Sequence, residues 1–260
     1  MKAFILFCGT LLLGGCALTP TEELVSSGAV VRELPRESGE AVPVARFSLR
    51  AEGEALPPHW EPMIVLPSKP RTRYQLVRRD GTVALQAVAD KSASGKVRRI
   101  RIDPLSHPTV EWRWRVSALI PSADKRRASA EDSPARLILS FHGDPAKLDF
   151  EARTQLRFAK ALSGQALPYA TLMYVWSNTV PVETVLDNPH TSRVKMIVVE
   201  SGAGGVGQWR SYKRNVREDF RRAFGEEPWD VVAVGMMTDT DNTGQTAHSY
   251  YGDITFLRGL

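Results

Sequence analysis

The chain has 260 residues, of which 43% are hydrophobic and 24% are charged, and its formal net charge is +5 at pH 7. This balance excludes a largely disordered protein, and the length suffices for one sizeable core or two small ones. The positive residues are spread over several segments, so the charge gives no indication of a nucleic-acid partner.

The first residues have the pattern of a bacterial export signal. A positive start at Lys2 is followed by an apolar run, residues 3–13, that is too short to span a bilayer, and then by small residues. The end of this pattern, Leu-Gly-Gly-Cys at 13–16, resembles the lipobox of bacterial lipoproteins. We therefore predict that residues 1–15 are a cleaved signal peptide and that Cys16 is diacylated and becomes the first mature residue.

The predicted processing determines both the location and the cysteine chemistry of the protein. The other cysteine, Cys8, is removed with the signal peptide, which excludes thiolate catalysis, thiolate metal sites and disulfides in the mature chain. Residues 16–41 are rich in Thr, Pro, Ser, Gly and Glu, which predicts a tether. Ala17 is not the aspartate expected for inner-membrane retention, so we expect a lipid anchor at the periplasmic face of the outer membrane.

Residues 42–260 are predicted to form one mainly β domain. Short apolar alternations bounded by turn residues indicate ten strands, and only two windows have helical periodicity. This ratio favours a β-sandwich with two short helices over an α/β fold. The strands are predicted at 44–50, 74–78, 82–88, 97–102, 110–116, 136–141, 171–176, 193–199, 230–237 and 249–257.

The two helical windows have recognisable ends. The first covers 150–162 and stops before Gly164. The second begins after Asn215, a plausible N-cap with Glu218 three residues on, and stops at Gly225. Both helices are predicted to pack against a sheet edge.

The strand at 110–116 has two different faces. Its period of two places Trp112 and Trp114 on one face, and Arg113 and Arg115 on the other face with an acidic neighbour. The tryptophans are interpreted either as core residues or as an exposed platform on which a sugar ring stacks. The arginines are candidates for binding an anionic saccharide or phosphate through bidentate guanidinium contacts.

Other strands carry cationic pairs with the same spacing, Arg99 with Arg101 and Arg193 with Lys195. If these strands neighbour the strand at 110–116, their side chains form a basic stripe across one sheet. The alternative is a solvated face whose arginines pair with nearby acids.

A dense polar segment, Met-Thr-Asp-Thr-Asp-Asn-Thr-Gly at 237–244, separates the last two strands. An EF-hand loop that started at Asp239 would need an acid or amide at position 243 and a glutamate at position 250. The residues there are Thr243 and Tyr250, so the segment is not an EF-hand.

Three interpretations of this segment remain open. Asp239 and Asp241 form a calcium site with Asp253 from the following strand, or they and Asn242 bond their own turn backbone. In the third interpretation, the side chains of Asp239, Asp241, Asn242 and Asp253 line a pocket for a polar ligand or for catalysis.

Several segments together resemble a known bacterial family, called domain of unknown function 3047. The resemblance covers about residues 45–258, and the octapeptide at 237–244 is its most distinctive part. It implies an exported bacterial protein and assigns no activity. The last predicted strand of the chain, with Gly-Asp-Ile at 252–254, is similar to the last strand of jelly-roll carbohydrate-binding modules, in which an aspartate often helps to hold calcium. This second resemblance implies a jelly-roll-like antiparallel sandwich. The other matching runs are 89–95, 111–116, 132–136, 172–177, 194–202, 209, 214–216 and 223–226.

Two functions from different classes follow from the sequence. The first is an envelope lipoprotein that binds a saccharide or an anionic envelope polymer without catalysis. The second is a glycan-active hydrolase or lyase that uses carboxylates of the region 239–253. Carboxylates that converge in an open groove favour the enzyme, whereas carboxylates bonded to backbone amides favour the binding protein.

Replacing Cys16 with Ser tests the predicted anchor. The variant lacks the thiol that accepts the acyl chains, each methylene of which contributes about 0.8 kcal/mol to membrane binding. We expect it to move from the membrane pellet to the soluble fraction after cell fractionation. Unchanged membrane association would contradict the lipoprotein prediction.

Overall fold

The computed structural model describes residues 34–163, 167–188 and 191–259, with the side chains of 158–163 excepted. The predicted signal peptide and most of the predicted tether therefore lie outside the described residues. No helix in the described part of the chain is long and apolar enough to cross a membrane.

The described residues form thirteen β-strands and two α-helices. The helices are α1 (Phe150–Ser163) and α2 (Val216–Phe224). The strands are β1 (Ala41–Ala45), β2 (Trp60–Ile64), β3 (Arg73–Arg79), β4 (Thr82–Asp90), β5 (Ala93–Ile102), β6 (Thr109–Val116), β7 (Arg136–Phe141), β8 (Ala170–Ser177), β9 (Val185–Asn188), β10 (Thr191–Ser201), β11 (Trp209–Asn215), β12 (Val231–Asp239) and β13 (Thr246–Leu257).

The strands form two sheets. Sheet A has the order β11-β6-β13-β4-β3, and β1 pairs with β13 as a sixth strand. Sheet B has seven strands in the order β2-β5-β12-β7-β8-β10-β9. All pairs are antiparallel except β8 with β10, which is parallel. The prediction of a mainly β, jelly-roll-like sandwich with two helices is confirmed.

Three strands were missed by the sequence prediction, and all three lie at sheet edges. β2 contains a proline, β9 has only four residues, and β11 carries three cationic side chains among its seven residues. Edge strands tolerate proline and charge because one side of their backbone needs no partner strand. The predicted strand at 44–50 is largely wrong, since β1 ends at Ala45 and a 3-10 turn follows at Phe47–Leu49.

Both predicted helices are confirmed. The side chain of Asn215 accepts a hydrogen bond from the Glu218 N–H at 3.1 Å, which caps the N-terminus of α2. Gly225 ends α2 with a φ of 72°, a left-handed conformation that favours glycine.

The core lies between the two sheets, and the tryptophans of β6 belong to it. Trp114 is fully buried, and its Nε1 donates a hydrogen bond to the Tyr212 hydroxyl at 3.1 Å. Trp112 stacks on Tyr174 of sheet B, with ring centroids 4.9 Å apart. The interpretation as core is therefore correct, and the alternative of an exposed sugar platform at these two residues is wrong.

The last residues of the predicted tether contact the domain. The Glu37 N–H donates to the Arg101 carbonyl at 2.8 Å, and Arg36 forms an ion pair with Asp230 at 2.8 Å. The chain thus reaches the sandwich at the end of β5, before the start of β1.

Candidate functional site

The acidic segment after β12 is built around a buried ion pair. Asp239 is 3% exposed, and its two oxygens accept hydrogen bonds from Nε and Nη2 of Arg136 at 2.9 and 2.8 Å. The backbone N–H of Ser133 donates to the same carboxylate at 3.1 Å. Bidentate pairs of this kind are among the strongest polar contacts in proteins.

A second buried cation lies beside this pair. Lys125 Nζ donates to the backbone carbonyls of Glu131 and Asp132, both at 2.5 Å. Burial lowers the pKa of the Lys125 amine, and burial raises the pKa of Asp239 although Arg136 and Lys125 oppose that change. Both pKa changes reflect the free-energy cost of removing a charged group from water. The charged form of each group in this cluster is therefore stable only because oppositely charged or hydrogen-bonding partners lie beside it.

The rest of the segment is held by turn bonds. Asp132 accepts hydrogen bonds from the backbone N–H groups of Asn242 and Thr243 at 3.2 and 2.7 Å, and from the Thr243 hydroxyl at 2.6 Å. The Gly244 N–H closes the turn on the Thr240 carbonyl at 3.0 Å, and Gly244 has a φ of 66°. Asn242 takes part through its backbone while its residue surface is exposed.

The predicted calcium ligands are not brought together as expected. In the described part of the chain, the carboxylates that lie within 4.8 Å of one another are those of Asp132, Asp239 and Asp241. Asp253 is outside this group, because its carboxylate accepts hydrogen bonds from the Ser48 N–H at 2.9 Å and from the Ser48 hydroxyl. The third carboxylate of the cluster therefore comes from Asp132 and not from Asp253. Asp132 lies on a distant segment, so the spacing within the octapeptide does not reveal it.

The three clustered carboxylates do not fit a calcium ion. Calcium takes six to eight oxygen ligands, whereas both oxygens of Asp239 are bonded to Arg136 and those of Asp132 are bonded to the loop. Asp241 pairs with Lys69 at 3.0 Å. The hairpin interpretation is correct in kind but wrong in its residues, because the turn N–H groups are bonded by the Asp132 carboxylate and not by the side chains of Asp239, Asp241 or Asn242. The carboxylates of this cluster do not form the open pair that a glycan hydrolase requires.

The predicted basic stripe is wrong in its composition. Arg113 and Arg115 lie on the outer face of sheet A, as the period of two predicts. The strands that carry Arg99 and Arg193, β5 and β10, belong to sheet B and do not neighbour β6. The strands that neighbour β6 are β11 and β13. The sequence did not indicate that their outward-facing residues lie beside those of β6.

A row of directly paired side chains crosses the outer face of sheet A. We call it the cross-strand row, and it joins one residue from each of five neighbouring strands. Directly paired residues on antiparallel strands project from the same face. The row consists of Trp209, Arg115, Tyr250, Gln86 and Gln75.

Polar contacts run along this row. The Gln75 amide donates to Gln86 Oε1 at 2.7 Å, and the Gln86 amide donates to the Tyr250 hydroxyl at 3.2 Å. The Arg115 guanidinium lies 5.8 Å from the Tyr250 ring centroid, and its Nε donates to the Gly207 carbonyl at 2.9 Å. The row is therefore fixed before any ligand arrives.

Two further arginines extend the row on the same face. Arg79 lies over the Tyr250 ring at 5.3 Å, and Arg113 lies over the Trp209 ring at 4.9 Å. Arg113 also crosses Gly252, where a Cβ would lie 2.5 Å from its Cγ, so a larger residue at this position would displace the Arg113 side chain. Asp80 is the nearby acid, 3.5 Å from Arg115. Arg79 lies 3.8 Å from the same carboxylate, so two of the three arginines flank Asp80.

A comparison with known protein families identifies the family of this chain. The architecture defines the chain as a jelly-roll-like β-sandwich protein. It belongs to the family described as "Protein of unknown function (DUF3047)", whose sequence profile matches residues 58–255. A search of curated protein sequences found no match.

The solved structures that resemble this chain include two that are similar at a low level. One is the X-ray crystal structure of the Trichoderma harzianum endoglucanase 3 from family GH12, with 8% identity, a TM-score of 0.40, and coverage of 87% of this chain and 98% of that one. The other is the cellulose induced protein Cip1, with 11% identity, a TM-score of 0.30, and coverage of 75% and 89%. Similarity at this level carries no argument about function.

Replacing Asp239 with Ala tests the structural interpretation of the acidic segment. Removing one partner of a buried ion pair leaves the other charge uncompensated, so we expect a loss of about 3–5 kcal/mol in the free energy of unfolding. Asp241→Ala is the matched control, and its pairing with the partly exposed Lys69 predicts a loss of about 0–1 kcal/mol.

Thermal melts of both variants and of the wild type, with calcium and with a chelator, measure these effects. We expect calcium to leave the wild-type melting temperature unchanged. A calcium-dependent rise that Asp239→Ala abolishes would contradict the interpretation and restore the metal site.

Proposed function

We propose that the protein is a lipid-anchored envelope protein that binds an anionic saccharide polymer on the outer face of sheet A without catalysis. The observation that carries this proposal is the cross-strand row, flanked by Arg79 and Arg113. The anchor part of the proposal rests on residues 1–16, which lie outside the described residues.

The dimensions of the row suit an extended ligand. Neighbouring strands are about 4.8 Å apart, so a row across five strands spans roughly 19 Å. Tyr250 is only 7% exposed, because Arg79 and Arg115 lie over its ring. A polymer lying across the strands would therefore contact these arginines and the other row residues at once, whereas a single small molecule would reach only one or two of them.

The chemistry of the row suits a ligand with both hydroxyl and acidic groups. Guanidinium groups that lie over aromatic rings are held in a defined orientation, which lowers the entropy cost of bidentate contact with a carboxylate, sulfate or phosphate. The amides of Gln75 and Gln86 offer hydrogen bonds to hydroxyl groups. Trp209 is partly exposed and offers an aromatic edge beside Arg113.

The state of the acidic residues supports binding over catalysis. A glycan hydrolase of the predicted kind needs one carboxyl group that protonates the leaving group and a second that acts as nucleophile or activates water. Asp239 is bonded to Arg136, and Asp253 is bonded to Ser48. Asp241 pairs with Lys69 at 3.0 Å. These contacts support the binding function over the enzyme interpretation, which depended on the three carboxylates being free.

Replacing Arg115 with Ala tests the proposed face. The polymer would lose a charge-assisted contact with the arginine of the row, so we expect binding of polygalacturonate to weaken by about tenfold or more. Binding of the wild type should fall as salt is raised, and the neutral polymer dextran should not bind at this face. Isothermal titration calorimetry measures the affinities.

The matched control is Arg99→Ala, which removes an exposed arginine from β5 of sheet B. It should bind polygalacturonate like the wild type. Equal losses in both variants would show that only net charge matters and would contradict the proposed face, as would wild-type affinity in Arg115→Ala.

A further inference from the structure

A cavity of about 420 Å³ lies where the chain enters the domain, at one end of sheet B. Its wall includes two exposed apolar side chains, Trp229 at 43% and Leu105 at 58% of their full surface. The volume falls within the range of about 300–1,000 Å³ that is typical of small-molecule sites. None of the residues of the cross-strand row lines this cavity.

The Trp229 ring is held in place and remains accessible. Its centroid lies 5.3 Å from that of the His142 ring, at an interplanar angle of 34°. Lys147 Nζ lies 5.7 Å from the same centroid. Trp229 lines the cavity and is 43% exposed although both neighbours are in place, so part of the indole surface is accessible. A large aromatic ring in such a position offers stacking area with little entropy to lose.

The charges of the cavity are paired with one another. Asp230 accepts hydrogen bonds from Arg36 at 3.0 Å and from Arg101 at 2.5 Å. Asp103 accepts hydrogen bonds from Arg36 at 3.2 Å and from the Leu105 N–H at 2.9 Å. Two arginines thus face two aspartates, and these four groups carry no net charge. A charged ligand would find no uncompensated partner among them, whereas a neutral polyol could share their remaining donors and acceptors.

We propose that this cavity is a second binding site, for a neutral sugar residue. The apolar C–H face of a pyranose ring would pack on Trp229, and its hydroxyl groups would hydrogen-bond to the ion-paired side chains at the rim, as in pockets that combine an apolar wall with a few polar groups. The site is independent of the proposed function, because it differs from the cross-strand row in location, in charge and in ligand chemistry.

Titration of the full chain in detergent with cellobiose, maltose and N,N′-diacetylchitobiose tests this site. We expect saturable binding of at least one of these neutral disaccharides, unaffected by salt because the ligand is uncharged. Trp229→Ala should weaken it by about tenfold or more. Trp209→Ala, which removes a tryptophan of sheet A, should retain it, so that failure of this site and failure of the sheet A face are distinguished.

Two results would overturn the inference. One is the absence of saturable binding of all three disaccharides, or equal binding by the wild type and Trp229→Ala. The other is that bromine-labelled phospholipids in vesicles quench the tryptophan fluorescence of the wild type but not that of Trp229→Ala. The Trp229 ring would then contact a bilayer and not a sugar.

Discussion

The buried ion pair between Arg136 and Asp239 is the contact on which the arrangement of the last two strands depends. It links the start of β7 to the end of β12, on the face of sheet B that points away from the core. Both charges are removed from water, so the pair is stable only with both partners and with the Ser133 N–H in place. This requirement explains why the polar segment is so dense.

We call residues 132–133 and 239–244 the acidic corner. This corner connects β12 of sheet B to β13 of sheet A, and it thereby determines the register of β13. Thr238 and Met237 bond the Tyr251 hydroxyl at 2.8 and 2.6 Å, which holds that side chain inside the sandwich. Tyr250 then points outward, opposite Arg115 and Gln86. Because a slip of one residue would exchange the two tyrosines, the cross-strand row exists only if the corner is correctly formed.

The period of the sequence was a reliable guide to single elements. Alternation on β6 placed Trp112 and Trp114 on the face opposite to Arg115, and the N-cap of α2 was found from local residue types alone. These features depend on neighbours within a few positions along the chain.

The sequence could not show which strands lie side by side. The basic stripe was assembled from strands that belong to different sheets, and β11, which supplies Trp209, was missed because its polar character suits an edge. Asp132 was also missed, since its partners Asn242 and Thr243 lie on a distant segment. Both errors concern contacts between distant parts of the chain, which an alternation of residue types does not encode.

The central claim is that ligand contacts belong to the cross-strand row and not to the acidic corner. Titration of isotope-labelled protein with oligogalacturonate, followed by backbone amide chemical shifts, tests it most directly. We expect the shifts to change at the row residues Gln75, Gln86, Arg115, Trp209 and Tyr250, and to stay constant at residues 132–133 and 239–244. Changes confined to those two corner segments would contradict the account, because they would place the ligand on carboxylates that we assign to the fold.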